Sequence, residues 1–68
     1  MLQDIYELLL LRHLEPKWVG NEVHVDVHDA AFALADHPGG VAIRQKRADW
    51  ILARVYPEPD EAIAALGL

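Results

Sequence analysis

Apolar positions along this chain keep two different periods. Between Leu2 and Leu14 they fall at Leu2, Ile5 and Leu9 with Tyr6 beside them, the spacing of a helix buried along one side. That stretch has no Pro or Gly and is dominated by good helix formers, and Pro16 ends it by pushing Glu15 out of the helical region. Leu8, Leu10 and Leu11 spill around the rest of the cylinder, more apolar surface than a single stripe buries. From Lys17 to His28 the period drops to two. Val23, Val25 and Val27 alternate with His24, Asp26 and His28, which predicts a strand with one apolar and one polar face. Gly20 and Asn21 between Val19 and Glu22 are a two-residue hairpin signal, with Gly suited to the positive φ of a type II′ turn. In that register Val19 faces Glu22, and Trp18 faces Val23 on the valine side.

Beyond the hairpin the sequence reads as helical. Asp29 stands where an N-cap belongs, ahead of the Ala-rich run Ala30–Ala35, and Pro38, Gly39 and Gly40 stop that helix at His37. A third helix is expected from Val41 to Tyr56, with Ala48, Ile51, Leu52 and Val55 inward, Trp50 beside them and Pro57 at its end. Pro59 suits the first turn of a short last helix, where Asp60 and Glu61 meet the positive end of the dipole and Gly67 closes it. The fold class expected is α+β and mostly helical: an N-terminal helix, a short β-hairpin, then two or three helices, with residues 1–68 as a single small domain.

Composition narrows the function classes. The chain has 68 residues and no Cys, so neither disulfides nor thiolate zinc clusters reinforce its core. It also has no Ser or Thr, so that serine, threonine and cysteine nucleophiles are all missing. Gly39 and Gly40 are followed by Val and Ala rather than by a phosphate-binding Lys, and the adjacent Asp60 and Glu61 are explained by the helix dipole. Enzyme activity is therefore not expected. The longest apolar run of the N-terminal segment, Leu8–Leu11, is neither a signal sequence nor a membrane span, and a cytoplasmic location is expected.

Three patterns carry candidate chemistry. His24, Asp26 and His28 share one strand face, a weak candidate metal set, because neighbours about 6.5 Å apart on a straight strand close around one ion only with a bulge or a further ligand. A solvated polar face is the commoner use of such residues, and no metal is expected. The turn His37, Pro38, Gly39, Gly40 resembles the axial-ligand turn of small bis-histidine b-type cytochromes, with Trp18, Val19 and the Val-rich strand upstream adding to the likeness. That family implies a haem held between two histidines, yet no His follows His37, so no cofactor is expected. Third, residues 44–54 hold Arg44, Lys46, Arg47 and Arg54 against Asp49 alone, while the remainder has 2 basic against 10 acidic residues. A basic helix over 41–56 invites a helix-turn-helix reading, a dimeric transcriptional regulator with Arg44, Gln45, Lys46, Arg47 and Arg54 toward DNA, although the acidic remainder repels phosphate.

The reading favoured by the sequence is a protein-interaction or assembly module, homo-oligomeric or an adaptor to a larger protein partner. Its expected interface is the Leu-rich N-terminal helix, through Leu8, Leu10 and Leu11, with Trp50 as a hot-spot residue. DNA binding through the basic helix and metal binding at His24, Asp26 and His28 stand as the alternatives.

Overall fold

A computed structural model describes residues 1–46 and 53–68 of the chain. The elements run α1 (Leu2–Leu11), β1 (Lys17–Val19), β2 (Glu22–Val27), β3 (Ala30–His37), β4 (Gly40–Lys46), β5 (Arg54–Tyr56) and α2 (Pro59–Ala65). The strands form one antiparallel sheet in the order β1-β2-β3-β4-β5, so each strand pairs with its neighbour in sequence. Both helices pack on the same face of this meander, and one core lies between the layers.

The expectation of a mostly helical domain is corrected here. Residues 30–37 and 41–46 are strands, as are 54–56, and the only helices among the described residues are α1 and α2. Two physical features overrule helix propensity. Val27 pairs with Ala30 across a two-residue turn in which both His28 (φ 49°) and Asp29 (φ 65°) are left-handed, the geometry of a type I′ hairpin turn. Asp29 thus reverses the chain instead of capping a helix. Once reversed, the Ala-rich run alternates by two: Phe32 and Leu34 enter the core while Ala31, Ala33 and Ala35 turn outward. In β4, Val41 and Ile43 alternate with Ala42 and Arg44 in the same way. Of the helix expected over 41–56, positions 47–52, with Ala48, Ile51 and Leu52, lie outside the described residues.

Pro38, Gly39 and Gly40 do break the preceding element, as a hairpin turn between two strands: His37 pairs with Gly40. Gly40 is obligatory there. A Cβ on it would sit 2.1 Å from the Tyr56 carbonyl oxygen, and its φ of 136° is closed to other residues. The first hairpin has the register read from the sequence, Trp18 opposite Val23 and Val19 opposite Glu22, with Gly20 at positive φ.

α1 stops at Leu11, ahead of Pro16, in a Schellman motif. His13 takes the left-handed position (φ 62°), its N–H donates to the Leu10 carbonyl, and the Leu14 N–H donates to the Leu9 carbonyl. Leu14 then packs back onto the core. Leu2, Ile5 and Leu9 of α1 and Ala62, Ile63 and Leu66 of α2 close over Val23, Val25, Val27, Phe32, Leu34, Val41 and Ile43. Tyr6 stacks on Trp18 with ring centroids 5.5 Å apart, sealing the β1 side of that core. Among the described residues, no helix is long and apolar enough to cross a membrane.

Candidate functional site: the outer face of the sheet

Alternation that sends valines inward sends a second set of residues outward, and no described helix covers them. The register arranges this outer face in rows. One row reads Asp26, Ala31, Lys46; the next Lys17, His24, Ala33, Arg44; the third Val19, Glu22, Ala35, Ala42, Val55. Read by strand, β1 presents Lys17 and Val19, β2 Glu22, His24 and Asp26, β3 three alanines ahead of His37, and β4 Ala42, Arg44 and Lys46. The carboxylates of the face are thus on β2, the bases Arg44 and Lys46 on β4, and Lys17 lies at the β1 edge beyond the carboxylates.

Smoothness lets charges reach across the middle strand. Arg44 extends over the alanines of β3, and its Nη2 donates to both carboxylate oxygens of Glu22, at 2.7 and 2.8 Å. Glu22 Oε1 also lies 3.1 Å from His24 Nε2. Ala33, paired with His24 on one side and Arg44 on the other, is only 1% exposed although it lies on the outer face. A larger β3 side chain would stand in the path of the Glu22–Arg44 pair. Val19 and Val55 mark the two ends of the third row and are 51% and 40% exposed. A cleft of about 610 Å³ opens at the β1 side, lined among others by Lys17, His24, Asp26, Ala31 and Lys46 together with His13 and Glu15.

The residues singled out from the sequence are dispersed. Leu8, Leu10 and Leu11 lie on different sides of α1, since each residue advances about 100° around a helix. Leu8 is half-buried, in the groove against Ile63 and Ala64 of α2 and beside Arg12, whereas Leu10 is exposed on the flank that Tyr6 occupies and Leu11 is exposed to solvent. Trp50 and Arg47 lie outside the described residues. Arg44 and Lys46 share the outer face, but Gln45 follows the opposite alternation, and Arg54 pairs with the inward Ile43. Of the recognition helix expected over 41–56, the described ends are strands, β4 through Lys46 and β5 from Arg54. His24 and Asp26 remain on the outer face, but His28 leaves it in the I′ turn and approaches Gly67 beyond α2. Among the described residues, no group of three metal-ligating side chains converges.

What the sequence reading passed over is the face itself: Val19, Glu22, Ala31, Ala35, Ala42 and Val55. A signal existed in the alternation of large and small residues from Ala31 to Ala35, which is clear once the segment is a strand. No family model matches the chain, and no curated protein or solved structure was found to match it.

Proposed function

We propose that this chain is a small assembly module that works by associating with protein, in the first place with a second copy of itself. The observation that carries the reading is the one-sided layer structure: five strands are covered by two helices on one face, while the other face is built from alanine and valine around compensated charges. Antiparallel sheets often leave one face to water, and such faces ordinarily carry a dense polar set. Here the middle strand contributes alanines, Ala33 beneath the Glu22–Arg44 pair and Ala31 and Ala35 partly exposed on either side of it. Leu10, Leu11 and Trp18 add exposed apolar surface on the helical side, so a partner has two places to dock. The strands at both ends of the span 41–56 favour this reading over DNA recognition by a helix there.

Light scattering or sedimentation of the purified chain tests this reading. Association at micromolar concentration is the expected result. A monomer up to several hundred micromolar would remove self-assembly as the function.

A further inference from the structure

Resting on the self-assembly reading above, we infer that two copies meet face to face through the outer side of the sheet, about a twofold axis that lies along β3. The warrant is the segregation of charge by strand. A twofold running across the strands at the middle row would lay β2 on β2 and β4 on β4, setting Glu22 of each copy against Asp26 of the other and Arg44 against Arg44. A twofold along β3 exchanges β2 with β4. It brings Asp26 of each copy onto Lys46 of the other, because both lie in one row on either side of Ala31. In the third row it brings Val19 onto Val55 at both ends and leaves Ala35 facing Ala35 on the axis. The two Glu22–Arg44 pairs then cross above the alanines as a set of four charges that sum to zero.

Size limits the strength of this contact. Strands of 3, 6, 8, 7 and 3 residues, at about 3.3 Å per residue and about 4.8 Å between strands, present a face of about 430 Å². Two copies would bury roughly 860 Å², the size of a weak, reversible dimer rather than of a permanent one. Edge pairing, the other route by which sheets associate, is offered only three residues by each of β1 and β5.

The test uses the full chain and a charge swap. Asp26→Lys and Lys46→Asp should each raise the dimer dissociation constant about tenfold or more, since each places two like-charge contacts in a symmetric interface. The double variant should return it to within about threefold of the parent. Independently, Ala35→Cys in this cysteine-free chain should be joined efficiently by a short bismaleimide, whereas Asp60→Cys on α2 should not. Far-UV circular dichroism establishes that each variant is folded; if a charge variant is not, the cross-linking pair decides. A parent dimer whose affinity ignores both single swaps, or one that cross-links through Asp60→Cys and not Ala35→Cys, overturns this interface and leaves the assembly reading standing. A monomeric parent overturns both.

Discussion

The two faces of this sheet are made by the same strands and differ in side-chain size. β3 shows the contrast in consecutive residues. Phe32 and Leu34 fill the space beneath α1 and α2, while Ala31, Ala33 and Ala35 hold the outer face flat. Leu34 and Ala33 are equally inaccessible, at 0% and 1% exposed, but for different reasons. Leu34 is enclosed by Val23 and Ile43 on neighbouring strands and by the helical layer; Ala33 is shaded by the long side chains on either side of it. Burial alone therefore does not identify core. What encloses the residue, and whether that cover belongs to the fold or to the surface, separates a position that holds the domain together from one that shapes a contact.

Substitution of Leu34 should break the contrast most sharply. Leu34→Ala removes side-chain volume at the centre of the core between sheet and helices, where deletions of this kind cost about 2–5 kcal/mol. At about 0.05–0.15 kcal/mol per residue a domain of this length holds roughly 3–10 kcal/mol in all, so about half of its stability goes with this one side chain. Urea denaturation should show the midpoint lowered by about half. On the outer face Ala33→Ser should shift the midpoint only slightly, and a comparable loss there would mean that the outer face is core as well.

A second effect, nearly as large, lies at the end of β3. Gly40→Ala places a Cβ against the Tyr56 carbonyl and within 2.7 Å of the Pro57 Cα, at a φ that alanine avoids. Backbone strain of this type costs about 1–3 kcal/mol per residue, with the clash in addition. Because β5 is held to β4 at this point, amide exchange should accelerate first in Val55 and Tyr56, before the midpoint of the whole domain moves. Uniform acceleration would show that β5 does not open separately.

At the other end of β3 the prediction has the opposite sign. His28 and Asp29 occupy left-handed backbone that costs an ordinary residue about 1–2 kcal/mol. Replacing the pair by Asn-Gly should stabilise the domain by about 1 kcal/mol in thermal denaturation, since that dipeptide is the preferred I′ turn. No gain would mean that the His28 ring beside Gly67 contributes as much as the turn strain costs. This pair also explains how far the fold was legible in the sequence. The first hairpin was readable because Gly20–Asn21 announces its turn and Val23, Val25 and Val27 announce the period. α1 and α2 were readable from Leu2, Ile5 and Leu9 and from Pro59 and Gly67. β3 was not, because His-Asp is an uncommon I′ pair and alanine, the best helix former, occupies the outward positions 31, 33 and 35. With β3 misread, β4 lost its neighbour, and the outer face could not be assembled from residues that appeared to belong to three elements. Of the α1 leucines read as surplus, Leu10 and Leu11 are exposed while Leu8 packs against the core, a division that needs the position of α2 to be seen.

The smallest expected effect tests what the outer face contributes to folding itself. Glu22 and Arg44 make two short charge-assisted hydrogen bonds, and their side chains are 28% and 33% exposed. Pairs in such partly wet settings typically couple by about 0.2–1 kcal/mol, because attraction is screened and two long side chains must be held still. A double-mutant cycle with Glu22→Gln and Arg44→Met, read by urea denaturation at low protein concentration, should give a coupling in that range. The coupling should fall in 1 M salt, where the screening length is about 3 Å. Both single variants should stay folded, since removal of either partner leaves the other able to reach water. If the coupling instead exceeds about 2 kcal/mol, the pair acts as a clamp that ties β2 to β4 across β3, and the outer face would be a stability element. A coupling under 1 kcal/mol leaves the inner face with nearly all of the folding energy, and the outer face free to be shaped by what it meets.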